Sequence, residues 1–192
     1  MNDIPFVSPG TVTAAVFALP ALTIVVLHAR RHGLPAIALL ARLGLIVVLA
    51  TVLAYTMPRW NRTGLLPDEQ TWNLIPLRTI RAQVAALGYD TRESLLQLAG
   101  NFLFFLPVGL LLPLGWRHLR SFGRALLVGL AITLAVELAQ LLITRTLPVW
   151  PRWADIDDVL LNLGGVAAGW LLWRAFAGGR RSGAPSPGPG AA

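Results

Sequence analysis

Five apolar stretches, each close to the length needed to cross a bilayer, constrain this chain more than any other feature. A transmembrane helix needs about 20 mostly apolar residues. The stretches are Thr11–His28, Ala36–Met57, Leu98–Trp116, Arg124–Ile143 and Asp157–Phe176. Hydrophobic residues make up 55% of the chain and charged residues only 13%, which is not the composition of a soluble domain. The sequence therefore predicts an all-α polytopic membrane helix bundle with about five transmembrane helices.

The composition also limits the chemistry and the partners of the chain. It contains no cysteine, which excludes disulfides and thiolate or iron–sulfur chemistry. The net charge is +7, but the arginines flank apolar segments and do not form a basic run with interleaved aromatic residues. We therefore predict a protein that is integral to the membrane, with no nucleic-acid partner and no cofactor. The sequence does not indicate whether the protein is a monomer or an oligomer.

The charges predict an orientation. Arginines lie at or just beyond the ends of the first, third and fifth stretches: Arg30 and Arg31, then Arg117, Arg120 and Arg124, then Arg174, Arg180 and Arg181. Every acidic residue except Glu137 lies in the other segments or at their edges. Because short cytoplasmic loops carry an excess of Arg and Lys, the N-terminus is predicted outside and the C-terminus in the cytoplasm. Between the second and third stretches, Asn73–Leu77 begins an amphipathic pattern suited to the membrane surface.

Glu137 and Gln140 lie inside the fourth apolar stretch, on one helical face. An ionisable carboxyl at membrane depth is costly and usually marks a functional site. With a rise of about 1.5 Å per residue, Glu137 is predicted roughly 9 Å below the end of its helix. Asn162 is predicted roughly 7 to 8 Å below Asp157, so Glu137 and Asn162 match in depth.

Two further groups of polar residues belong to the same region. Asp155, Asp158 and Asn162 follow an i, i+3, i+7 pattern that forms one helical stripe, whereas Asp157 points elsewhere. Asn101 enters the membrane from the same side on the third helix. We therefore predict that polar groups from three helices open outward into one region.

Structural roles explain some of these residues equally well. The acidic run at Asp155–Asp158 is suited to capping the fifth helix and complementing its dipole. Gln140 and Asn162 are suited to hydrogen bonds between helices. Arg152 is suited to anchoring a lipid headgroup at the interface. Both the structural and the functional interpretation stay open at this point.

Four motifs, in order and spacing, resemble the VanZ-like membrane proteins. They are Asn73-Leu74-Ile75-Pro76-Leu77, then Asn101 with Phe105, Pro107 and Gly109, then Glu137-x-x-Gln140, then Arg152-x-x-Asp155-x-x-Asp158-x-x-x-Asn162-x-Gly164. The resemblance implies a multi-pass protein of the bacterial plasma membrane, linked to the cell envelope. The family is named for an accessory factor in teicoplanin resistance. We predict an N-terminal transmembrane region (1–47), a VanZ-like membrane domain (48–176) and a disordered tail (177–192).

Two functions follow from these residues. In the first, the protein binds or modulates a membrane lipid, a lipid-linked envelope precursor or a lipoglycopeptide in an outer-leaflet polar pocket. In the alternative, it is a membrane-embedded enzyme acting on a phosphate-bearing envelope lipid, with Glu137 as the acid or base and Mg²⁺ on Asp155 and Asp158. The predicted binding residues are Asn73, Asn101, Gln140, Arg152, Asp155, Asp158 and Asn162. Binding is favoured, because no complete reaction can be assembled from the residues.

Overall fold

The computed structural model of the chain describes residues 9–56, 73–88, 91–146 and 154–179. The helices, in chain order, are α1 (Pro9–His32), α2 (Ala36–Thr56), α3 (Arg78–Ala86), α4 (Thr91–Gly115), α5 (Phe122–Thr146) and α6 (Ile156–Gly179). A 3₁₀ turn, Arg117–Arg120, joins α4 to α5. Within the described residues, five helices are long and apolar enough to cross a membrane, namely all except α3. The predicted all-α bundle with about five spans is confirmed.

The two helices α4 and α6 pack backbone to backbone along a row of glycines. A Cβ atom added at Gly109 would overlap the carbonyl oxygen of Val166, and one added at Gly165 would overlap that of Phe102. A Cβ atom added at Gly169 would likewise overlap the carbonyl oxygen of Leu106. Small residues permit this close approach, which supplies the van der Waals contact that holds membrane helices together.

The helices α2 and α5 pack against this central pair. The buried core is formed by apolar side chains, among them Val52 from α2, Phe105 and Leu112 from α4, and Val136 from α5. After a turn at Gly33, whose φ of +57° suits glycine, α2 runs back beside α1. Because α1 packs mainly on α2, it lies at the edge of the bundle.

Two interhelical hydrogen bonds show which helix ends lie together. Arg42 Nε, near the beginning of α2, donates to the carbonyl oxygen of Gly115 at the end of α4, at 3.1 Å. Its guanidinium also lies over the Trp116 ring, 4.8 Å from the centroid. Gln140, late in α5, donates to the carbonyl oxygen of Thr56 at the end of α2. Thus α2 runs parallel to α5 and antiparallel to α4.

The bundle therefore has two chemically different ends. One end, here called the acidic end, contains the beginnings of α4 and α6 and the carboxylates Asp155, Asp157 and Asp158. The opposite, basic end carries the arginines at the end of α1 and in the 3₁₀ turn. This asymmetry is the one from which the orientation was predicted; the orientation itself stays a prediction.

The short helix α3 lies at the acidic end. It contacts α4 and α6, and none of its residues is fully buried. Leu74 and Ile75, just before it, are 70% and 60% exposed. Exposed apolar side chains beside Arg78 and Arg81 fit the predicted position at the membrane surface.

Candidate functional site

Asp157, at the beginning of α6, holds the turn that leads into α3. Its Oδ1 accepts a hydrogen bond from the backbone N–H of Leu77 at 2.5 Å. Its Oδ2 accepts from the backbone N–H groups of Thr79 at 2.8 Å and Ile80 at 3.1 Å. The side chain is fully buried, and Leu77 has a left-handed backbone with φ 66°. A carboxylate at this position satisfies the free N–H groups of α3 and complements its dipole.

Asp155 and Asn73 meet beside this cap. A parallel backbone bridge joins the two residues, and Asn73 Nδ2 donates to Asp155 Oδ1 at 2.8 Å. The hydroxyl of Thr79 donates to Asp155 Oδ2 at 2.5 Å. Asp155 Oδ1 also accepts from the backbone N–H of Asp157, as an N-cap of α6 does. The bond from the Asp157 N–H is the one expected of the capping interpretation, whereas the bonds from Asn73 and Thr79 join α3 and the residues before it to α6.

Asn101 and Asp158 form a second polar pair, between α4 and α6. Asn101 Nδ2 donates a hydrogen bond to Asp158 Oδ1. Asp158 is 7% exposed, and Asn162, one turn further along α6, is 3% exposed. Asp158 and Asn162 therefore lie on one buried face, as the stripe pattern predicts.

The polar residues of α5 have separate surroundings. Gln140 is buried, and its Nε2 donates to the carbonyl oxygen of Thr56 at 3.2 Å, which links α5 to α2. Glu137 is half-buried. A Cβ atom at Gly129 of α5 would overlap the Val166 side chain of α6, which fixes the relative position of these two antiparallel helices.

Counting helical turns from the contact between Gly129 and Val166 gives the position of each polar group along the bundle axis, here called its level. One turn toward the acidic end, Thr133 on α5 lies level with Asn162 on α6. The next turn brings Glu137 level with Asp158. The depth estimate from helix ends paired Glu137 with Asn162 instead. The two differ by a turn because the ends of α5 and α6 are not level: with Gly129 opposite Val166, α5 extends past the beginning of α6.

A groove lined only by apolar residues lies between α1, α2 and α5. This apolar groove has a volume of about 330 Å³, and its lining includes Phe17, Ala18, Ala50, Leu53, Ala135 and Ala139. The lining positions of α5 are on a different side of that helix from Glu137. Gln140 follows Ala139 directly and reaches Thr56, so their hydrogen bond lies at the groove's acidic-end rim.

The predicted binding residues are thus divided among several places. Asn73 joins Asp155, Asn101 joins Asp158 next to Asn162, and Gln140 joins α2. Arg152 and residues 180–192 of the predicted tail lie outside the described residues, whereas residues 177–179 of that tail belong to α6. Among the described residues there is no group of three or more His, Asp or Glu side chains that could hold a metal ion. The binding roles of these residues stay predictions.

Sequence reasoning missed the contribution of Asp157 and the apolar groove. The stripe pattern assigned Asp157 to another face of α6, which is correct, but that face meets the turn before α3. A signal was present in Asn73–Leu77, because a turn that opens a helix leaves N–H groups needing an acceptor. The groove has a fainter signal in α1, where Ala14, Ala18 and Ala21 recur at helical spacing.

Comparison with known proteins identifies one family. A family model described as VanZ/LLP1 matches residues 39–177, well over half of the chain. No curated protein sequence and no solved structure matched significantly.

Proposed function

This chain belongs to the VanZ/LLP1 family, and from that premise we propose that it binds an amphiphile of the cell envelope. The amphiphile is a membrane lipid or a lipid-linked precursor, with its hydrocarbon chain in the apolar groove and its polar head at the groove's rim. In this proposal the acidic end faces the outside of the plasma membrane, in accordance with the positive-inside rule.

The observation that carries the proposal is the apolar groove itself. Its lining is entirely apolar and its volume is about 330 Å³, so it offers a hydrocarbon chain contact on three helices. Small side chains at Ala18, Ala50 and Ala135 leave this space open. The edge position of α1 gives a lipid lateral access to the groove.

The rim supplies polar partners for a head group. Gln140 lies there with its amide bonded to the end of α2. The hydroxyl oxygen of Thr56 is buried and has no hydrogen-bond partner among the described residues. A buried hydroxyl normally has a partner, and a hydroxyl, amide or ester of the amphiphile is suited to that role. An apolar groove next to a polar rim matches the two parts of an amphiphile.

Filling the groove tests the proposal. We expect Ala135→Phe to reduce the lipid retained by the purified protein about tenfold, since displacing two methylenes loses about 1.6 kcal/mol of apolar burial. Native mass spectrometry of the protein in detergent measures the retained lipid. Ala131→Phe is the matched control, because Ala131 is exposed on α5 and does not line the groove. Equal lipid retention in the two variants contradicts the proposal.

Glu137 tests the enzymatic alternative. We expect Glu137→Gln to leave both the amount and the chemical composition of the bound lipid unchanged, because Glu137 and the groove lining are on different sides of α5. The measurement compares lipid extracts of cells that express either protein at equal levels. A lipid product that forms with the wild-type protein and not with Glu137→Gln supports catalysis instead.

A further inference from the structure

Arg42 places a positive charge inside a membrane-spanning helix. It is the seventh residue of α2, so its Cα lies about 9 Å along the axis from the beginning of that helix. The carboxylates whose side chains the structure describes (Glu137, Asp155, Asp157 and Asp158) lie at or toward the opposite, acidic end. An arginine within a transmembrane helix is rare and marks a functional site by default.

Contacts with the end of α4 hold the guanidinium of Arg42 in one orientation. Its Nε donates to the carbonyl oxygen of Gly115 at 3.1 Å, and its Cζ lies 4.8 Å from the centroid of the Trp116 ring. The aliphatic part of the side chain lies against Gly115, where an added Cβ atom would come within 3.3 Å of Arg42 Cγ. A side chain that is already held in place loses less entropy when a ligand binds to it.

The two Nη atoms of Arg42 keep their hydrogen-bonding capacity. Only Nε donates to the protein, and neither Nη atom bonds to any residue that the structure describes. Arg42 is half-buried, and a helical side chain points toward the N-terminus of its helix, which for α2 is the basic end. The Nη atoms therefore extend toward the head-group layer. Their planar fork matches the geometry of a phosphate group.

The surroundings of Arg42 favour a ligand with a net negative charge. Arg117 and Arg120 lie in the 3₁₀ turn after α4, and Arg120 Nε donates to the carbonyl oxygen of Pro113 at 3.5 Å. Arg30 and Arg31 end α1, which packs beside α2. The sequences of α1, α2 and the 3₁₀ turn contain no acidic residue. Basic pockets between membrane helices attract anionic head groups more strongly than zwitterionic ones.

A structural role explains only part of this arrangement. Arginine at the end of a helix caps its free carbonyl groups and complements its dipole, and the bond from Arg42 Nε to Gly115 does this for α4. Capping leaves the Nη fork without a partner. We propose that Arg42 binds the phosphate of an anionic phospholipid from the leaflet at the basic end, with Trp116 beside the head group. Arg42 does not line the apolar groove, so this site is separate from the amphiphile site.

Lipid titration of the detergent-purified full chain, followed by native mass spectrometry, tests the proposal. The probes are phosphatidylglycerol, which has a net negative charge, and phosphatidylcholine, whose phosphate is balanced by choline. We expect the wild-type protein to bind phosphatidylglycerol about fivefold more tightly. Inorganic phosphate at the same concentration should not displace the lipid, because the acyl chains supply part of its affinity.

Arg42→Gln removes both the charge and the fork. We expect the Kd for phosphatidylglycerol to rise about tenfold, since hydrogen bonds to charged groups are the stronger ones. Arg31→Gln is the matched control, because it removes the same charge at the same end from an exposed side chain, and it should change the Kd by less than about twofold. Arg42→Lys keeps the charge without the fork and should lie between the two. Lipid in the apolar groove contributes equally to all these proteins, since neither position lines it.

Three results overturn the proposal. The first is equal affinity of the wild-type protein for the two lipids. The second is an equal loss in Arg42→Gln and Arg31→Gln, which is the result of a diffuse surface charge without a site at Arg42. The third is displacement of the lipid by inorganic phosphate, which shows a soluble anion to be the ligand. Should Arg42→Gln fail to fold, Arg42→Lys replaces it, and an unchanged Kd in that variant contradicts binding through the fork.

Discussion

Gly109→Ala is expected to lower the free energy of unfolding by about 3 kcal/mol. The added methyl group would overlap the backbone carbonyl of Val166, which is part of a helix and has no rotamer to change. The helices α4 and α6 would have to move apart, and the contacts of Gly165 and Gly169 along the same row would loosen with them. Thermal unfolding followed by tryptophan fluorescence should show a midpoint lower by roughly 6 °C or more.

Gly100→Ala is the control for this prediction. Gly100 lies on the same helix α4, and a Cβ atom there would meet nothing within 4 Å. Replacing a glycine in a helix interior by alanine generally stabilises by roughly 0.5–1 kcal/mol. The two changes are chemically identical, so opposite signs isolate the close approach of α4 and α6. A Gly109→Ala protein as stable as Gly100→Ala would show that the helices are not in backbone contact.

Asp157→Ala is expected to release the turn before α3 from α6. Three backbone N–H groups, those of Leu77, Thr79 and Ile80, would lose their acceptor. A buried donor left unpaired costs about 1–3 kcal/mol, and water reaching this end of the bundle lessens that, so we expect a loss of about 2–4 kcal/mol in all. Hydrogen exchange should show faster exchange of these three amides.

Asp157→Asn is the matched variant for this second prediction. The amide keeps one acceptor oxygen in the same shape, so it should retain part of the protection. Because Asp155 caps α6 separately, the beginning of α6 should stay protected in Asp157→Ala. Unchanged exchange at Leu77, Thr79 and Ile80 in Asp157→Ala would contradict the capping role of this carboxylate.

Much of the fold was predictable because each span carries its own signal. The length and hydropathy of a span are local properties, and all five predicted spans are present as helices. The pairing of Asn101 with Asp158 was also predictable, since both residues belong to polar motifs that enter the membrane from the same side. The partner of Gln140 was not predictable from the sequence, because it is the backbone carbonyl of Thr56 in a distant span.

The candidate site was less predictable, for physical reasons. Depths counted from helix ends placed Glu137 beside Asn162, whereas the Gly129–Val166 contact places Glu137 level with Asp158. The error arose because helix ends are set by local capping, whereas the levels of two helices are set by how their side chains interlock. The apolar groove has only a faint signal, the alanines at helical spacing in α1, because alanines and leucines are common in any span.

The amino-acid sequence alone determined the class of protein, the number of spans and the two chemically distinct ends. Hydropathy and charge act residue by residue, so they can be read without knowing what each residue touches. Only the tertiary structure decided that Asp157 caps α3, that Thr133 and Asn162 are both buried, and that a groove lies between α1, α2 and α5. These features depend on packing between segments distant in the chain, which a local pattern does not encode.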